Sequence, residues 1–179
     1  MLLETKKLEV MQEKTKKLTA EVKKGAPEQA FLRQYHATVK QGKNLQVRVI
    51  IGKHTVNIDE PLDNGGDDTA PSPEDTLLVA LGTCIELSWI VYSSAFNLDI
   101  REVVVNVEGS VDQRYMLSGV NNVPARMKAV KIISRVVTNA PREKVERVYQ
   151  KVQLFCPING SLHPDIKKEY SLEINPPTN

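Results

Sequence analysis

The stretch Pro71–Tyr92, PSPEDTLLVALGTCIELSWIVY, constrains this chain more than any other. From Leu77 to Tyr92 it is apolar on most faces at helical spacing, interrupted by Glu86. It is therefore expected to form a helix over about Glu74–Phe96 that the fold must bury. The apolar run itself is shorter than a membrane span. A chain of 179 residues is expected to bury such a helix in one domain without disulfide staples.

The elements around it predict what covers the helix. Three strand-like pieces precede it, at about Phe31–Lys40, Leu45–Ile51 and His54–Asp59. The short turns QGKN and GK join them as an antiparallel meander. After the helix, Ile100–Val111 and Met127–Thr138 alternate like strands, linked by the long polar segment 112–126, which is read as a functional loop. Pro141 is expected at the first position of a further helix, with Asn139 as its cap. That helix stops at Cys156-Pro157, and a last strand, KEYSLEIN, leads to a Pro-rich tail. The order β-β-β-α-β-β-α-β implies the α+β class, with antiparallel sheet and a long buried central helix.

Residues 1–25 stand apart as an N-terminal amphipathic helix, ahead of a main domain over 26–179. Leu8, Met11, Leu18 and Val22 form a narrow stripe at 3-4 spacing among lysines and glutamates. Such a stripe resembles a coiled-coil seam, which docks on the body of the protein or on a partner. The N-terminus is charged throughout and lacks the apolar region of a signal peptide. A cytoplasmic protein without a membrane segment is the expectation.

A net charge of +2 and the lack of an aromatic-basic patch argue against nucleic-acid binding. The three histidines, His36, His54 and His163, have no metal-ligand spacing, and there is no Cys-x-x-Cys, so no metal site is expected. No glycine-rich phosphate loop or Ser/His/Asp signature is present.

Chemistry therefore falls to the two cysteines. Cys84 lies mid-helix, flanked at helical spacing by Leu77, Ala80, Leu81, Ser88 and Val91. Apolar surroundings disfavour a thiolate unless a cation is brought in, so Cys84 reads either as core packing or as a nucleophile. Cys156 precedes a proline, which ends the helix there and leaves the thiol at its negative pole. It is the poorer nucleophile of the two. Glu74 lies ten residues before Cys84, about 15 Å along a continuous helix. If Glu74 belongs to the same site, it comes from a second subunit; otherwise it is a first-turn acid favoured by the helix dipole.

Two motifs together resemble the OsmC/Ohr family, the osmotically induced and organic hydroperoxide resistance proteins. One is Pro73-Glu74, nine residues, then Cys84, preceded by Gly65-Gly66. The other is TNAPREKVERVYQKVQLFCPINGSL, ending in Cys156-Pro157 and a small polar loop. The resemblance covers about Phe31 to Ile174 and leaves the N-terminal helix outside.

It implies an intertwined homodimer with sites at the subunit interface and no cofactor. Its peroxidase members oxidise the first cysteine with an organic hydroperoxide and condense it with the second to a disulfide. A dithiol such as a lipoyl group then reduces that disulfide. Carried over by motif, Cys84 is peroxidatic, Cys156 resolving and Glu74 the acidic partner. The family arginine that faces the thiolate has no counterpart in QGKN or LDNGGDD. Arg48, Arg33 or Lys43 could supply the cation from the first strands, and Arg126 is a more remote choice. Two other readings remain open. One is a non-catalytic relative binding a small apolar or thiol-reactive ligand between subunits. The other is an interaction module recruited through Leu2–Lys24.

Overall fold

The computed structural model describes residues 2–117 and 122–177. These fall into two compact units, one over Val10–Leu77 and one combining the chain up to Glu9 with everything from Leu78 on.

The first helix, α1, spans Thr5–Lys23 and buries none of its residues. Beyond a short 3-10 turn at Glu28–Phe31, β1 (Thr38–Gln41), β2 (Val47–Ile51) and β3 (His54–Ile58) form the expected antiparallel meander. Strand β1 starts later than the sequence predicts. Pairing opens at Gln41↔Val47 and reaches Thr38↔Ile50, one residue short of the end of β2. The β2–β3 turn carries Gly52 at φ 58°, a conformation favoured in tight hairpins. Gly66 of the following loop lies so close to the Glu60 carbonyl that a Cβ there would sit 1.8 Å from its oxygen.

Helix α2 runs over Pro73–Ala95. Ser72 and Asp75 close its first turn as a capping box. The Ser72 hydroxyl accepts from the Asp75 N–H at 3.1 Å, and the Asp75 carboxylate accepts from the Ser72 N–H at 3.1 Å.

In the other unit, β4 (Ile100–Val111) and β5 (Met127–Thr138) pair antiparallel over their lengths, and both match the sequence expectation. The last strand, β6 (Lys167–Asn175), pairs parallel to β5, which makes the sheet mixed. The cause is α3 (Arg142–Leu154), which together with the short α4 (Pro157–Ser161) carries the chain from one end of the sheet back to the other. Pro141 stands one place earlier than expected, at the N-cap position of α3, where its carbonyl accepts from the Lys144 N–H. The expected Asn139 cap does not form. Thr138 Oγ1 instead accepts from the Ala140 N–H at 2.9 Å and shapes the entry. Within the expected loop 112–126, Asp112 caps a 3-10 turn over Gln113–Met116. Residues 118–121 of that loop, and 178–179 of the tail, lie outside the described residues.

The core of this unit sits between one face of the sheet and the two helices. Every second residue of β5, Val130, Ile132, Ser134, Val136 and Thr138, is buried, as a half-covered strand requires. Onto them pack Leu81, Ile85 and Trp89 of α2, and Val145, Val148 and Val152 of α3. Trp89 is wholly buried, donates its indole N–H to Ser134 Oγ at 3.1 Å and stacks on Tyr149 of α3 at 5.9 Å.

Among the described helices α2 alone is long and apolar enough to cross a membrane. The expectation that the run falls short counted from Leu77, whereas the helix begins at Pro73. Its seating on the sheet through Leu81, Ile85 and Trp89 is that of a core helix. Its opposite side is bare, with Val79 and Leu87 more than half exposed.

Replacing Ser134 by Ala strands a buried indole N–H, which costs about 1–3 kcal/mol. Urea unfolding of Ser134→Ala is expected to show that loss with the native circular dichroism retained. An unchanged midpoint would refute this account of the core.

Candidate functional site

The register of α2 on the sheet decides where Cys84 points. It precedes the buried Ile85 by one residue, about 100° around the helix, so it leaves the core at its edge and is half-buried. On the same flank Ala80, Thr83, Leu87, Ser88 and Val91 line an open groove of about 480 Å³, completed by Tyr92 and by Ile158 of α4. No charged side chain lines it.

Cys156 comes to the groove from the other end of the unit. Helix α3 ends at Leu154, and Cys156 adopts an extended conformation (φ −86°, ψ 108°) as the residue before Pro157 should. It is at the same time the N-cap of α4, with Pro157 at the first helical position. The sequence reading had placed it solely at the negative end of α3. Here its sulfur also accepts from the Asn159 N–H at 3.4 Å.

The two sulfurs, 72 residues apart in sequence, lie 2.9 Å from each other, with the Cys156 thiol donating to Cys84. Both cysteines are free. Burial, and after it the hydrogen bond to Cys84, pushes the Cys156 pKa up to about 11, against the smaller opposing effect of the Asn159 N–H. Cys156 therefore keeps its proton, and the sulfur facing the groove is that of Cys84.

Asn159 fixes this arrangement, a role that no motif in the chain announces. Its side chain donates to the Gln153 carbonyl at 3.2 Å and accepts from the Tyr170 hydroxyl at 2.8 Å. Its own carbonyl accepts from Lys168 Nζ at 3.2 Å. Strand β6 thus clamps the turn that carries Cys156. An Asn two residues after the Cys156-Pro157 break is the one local hint. The Tyr170 and Lys168 partners are brought by the parallel pairing of β6.

The remaining expected residues lie elsewhere. Glu74 is exposed in the first turn of α2, ten residues before Cys84 on one unbroken helix, a rise of about 15 Å. Arg33, Lys43 and Arg48 belong to the compact unit that does not contain the cysteines. Arg48 is exposed on β2, Lys43 occupies the β1–β2 turn, and the Arg33 guanidinium stacks 5.4 Å from the Tyr35 ring centre. Arg126 is engaged by the His163 ring and by Asp165, the latter at 2.6 Å. Among the described residues no group of His, Cys, Asp and Glu is arranged to hold a metal.

The family model for OsmC-like proteins matches residues 65–171, more than half of the chain. No curated protein sequence matches the chain. Solved structures do. An OsmC-like protein of Mycoplasma pneumoniae superposes with TM-score 0.69 at 14% identity, covering 80% of this chain and 98% of that one. An organic hydroperoxide resistance protein of Elizabethkingia anophelis gives 0.65 at 16% identity, with 80% and 98% covered. An organic hydroperoxide resistance protein OsmC of Legionella pneumophila gives 0.61 at 17%, with 79% and 98% covered. At these identities the likeness is one of fold.

A buried thiol with a raised pKa makes stability depend on pH. The folded state holds the Cys156 proton more tightly than the unfolded chain. The stabilisation is thus complete below the ordinary thiol value and is lost as pH rises toward about 11. Half-buried Tyr149 and Tyr170, also raised by desolvation, act in the same direction at higher pH. Thermal unfolding of the reduced protein should show Tm falling between about pH 9 and 11. The fall should be shallower in Cys156→Ala, and equal slopes would contradict the assignment.

Proposed function

Because the chain belongs to the family of OsmC-like proteins, we propose that it is a thiol-dependent peroxidase acting on organic hydroperoxides. The observation that carries this reading is the 2.9 Å approach of Cys84 and Cys156 at an apolar groove. The groove suits an alkyl or aryl hydroperoxide better than hydrogen peroxide, because its lining offers hydrocarbon surface.

In the proposed cycle the Cys84 thiolate attacks the terminal oxygen of the hydroperoxide. The O–O bond breaks, the alkoxide takes up a proton and leaves as the alcohol, and the sulfur is oxidised by two electrons to a sulfenic acid. Cys156 then attacks the Cys84 sulfur. The S–S bond forms, the S–O bond breaks, and the hydroxyl leaves as water with the Cys156 proton. A dithiol, a lipoylated protein in the family's manner, reduces the disulfide and is itself oxidised.

A homodimer in the cytoplasm is part of this proposal. A second subunit would cover the bare side of α2 and could bring its own Glu74, and one of Arg48, Arg33 or Lys43, to the Cys84 groove. An arginine suits that role better than Lys43, because its planar fork can hold a carboxylate and face a thiolate at once.

The uncharged lining of the groove favours a second reading, a non-catalytic dimer that binds a small apolar or thiol-reactive ligand there. One experiment separates the two. After one equivalent of cumene hydroperoxide, intact mass with thiol alkylation should show loss of two hydrogens and of both alkylation sites. Cys84→Ser should abolish hydroperoxide consumption, and Cys156→Ser should stop at a sulfenic acid. Two thiols still open to alkylation would exclude the peroxidase and leave the ligand-binding reading.

A further inference from the structure

A second cavity, of about 510 Å³, shares no lining residue with the Cys84 groove. It lies where the end of α2 meets α3, lined among others by Phe96, Leu98, Lys144, Arg147, Val148 and Lys151. Its shape follows from how α2 terminates. Asn97 takes the left-handed conformation (φ 50°), the Leu98 N–H reaches back to the Ser93 carbonyl at 2.8 Å, and the Asn97 N–H to Ser94 at 3.1 Å. This Schellman end drives Leu98 into the core and turns Phe96 outward, 56% exposed.

Across from it, Lys144, Arg147 and Lys151 follow one another at 3-4 spacing along α3, beside its buried valine stripe. Lys151 Nζ stands 5.6 Å above the Phe96 ring and 5.8 Å above the Phe155 ring, which bridges the cationic rim to the apolar wall. Arg147 shares its charge with Glu143, its ion-pair partner. Among the described residues neither Lys144 nor Lys151 has a carboxylate at ion-pair distance. Leu154, 75% exposed at the cavity mouth, extends the hydrocarbon surface.

An apolar floor with a few placed polar groups, in a volume of this size, is the make-up of a small-ligand site. Three cations on the lining, one of them paired with Glu143, select an anion, and the leucine, valine and phenylalanine walls select an apolar body. We propose that this cavity binds a single-chain anionic amphiphile, a carboxylate on an alkyl or aryl tail. The site is independent of the thiol chemistry. The head group pairs with Lys144 and Lys151, and the tail lies against Leu98, Val148 and Phe96. The contrasting possibility is that the lysine stems merely shield exposed rings, with their ammonium groups in water.

Decanoate below its micelle concentration, titrated into the 15N-labelled full chain, distinguishes them. Saturable amide shifts are expected around 96–98 and 144–154. The Lys144→Glu/Lys151→Glu protein should bind about tenfold more weakly or worse, and decanol should lose a similar factor, since both remove charge-assisted pairing. Lys144 is exposed and Lys151 half-buried; Leu154→Gln, which keeps the charges, provides a second variant and should also weaken binding. The proposal is overturned if decanoate gives no saturable shift. It is equally overturned by shifts centred on Ala80 and Leu87, by undiminished binding to the charge-reversed protein, or by equal binding of decanol. Association with phosphatidylglycerol vesicles but not with monomeric decanoate would likewise overturn it, by assigning the cations to a lipid surface.

Discussion

The seating of α2 on the mixed sheet is the interaction on which the rest of this structure depends. Leu81, Ile85 and Trp89 recur every fourth residue and reach one face of β4–β6 together. Such a stripe drifts slowly around a helix, so it fixes the rotation of α2 about its axis. Trp89 adds a directional term, because its indole N–H must find Ser134 once water is excluded. A helix turned by one residue would bury Cys84 or Glu86 in place of Ile85 and strand that N–H. The position of Cys84 at the rim of the core is thus a consequence of packing on the far side of its own helix.

The second helix inherits its place from the first. Tyr149 stacks on Trp89, Val145, Val148 and Val152 fill the space beside it, and α3 therefore ends next to α2. Pro157 forbids its continuation and starts α4, so the chain turns at Cys156 and the thiol faces back toward Cys84. Asn159, held by Tyr170 and Lys168 of β6, keeps that turn from relaxing. Two cysteines 72 residues apart are brought into contact by ordinary core packing and one buried amide, with no cross-link required.

That geometry also sets the two thiols apart. Cys156 is almost fully buried and keeps its proton, while Cys84 accepts the Cys156 hydrogen bond at the open side of the pair. An uncharged groove suits a neutral ligand better than a charged one, and the lining around Cys84 provides no cation.

The elements most legible in the sequence were those whose pattern is self-contained. Ile100–Val111 and Met127–Thr138 alternate over twelve residues each, and α2 is apolar far beyond what a strand would carry. β1 was read too long, because a strand ends where its pairing with a neighbour ends and not where its own pattern fades. The direction of β6 was missed for a related reason: alternation says which face a residue takes, but not which way the neighbouring strand runs. At the site, the two cysteines and the break at Cys156-Pro157 were visible as residue types with fixed local consequences. Asn159, Lys168 and Tyr170 were not, since their significance lies in bonds between elements.

By itself, then, the sequence determined the helix that must be buried, the long strands that could cover it, and the two cysteines with their local settings. Periodicity and proline act through nearest neighbours along the chain, and so are written into it. The tertiary structure decided that the thiols meet, which of them is buried and holds the proton, and that a cationic cavity opens between α2 and α3. Each of these depends on distances and desolvation, which arise when segments far apart in sequence exclude water between them.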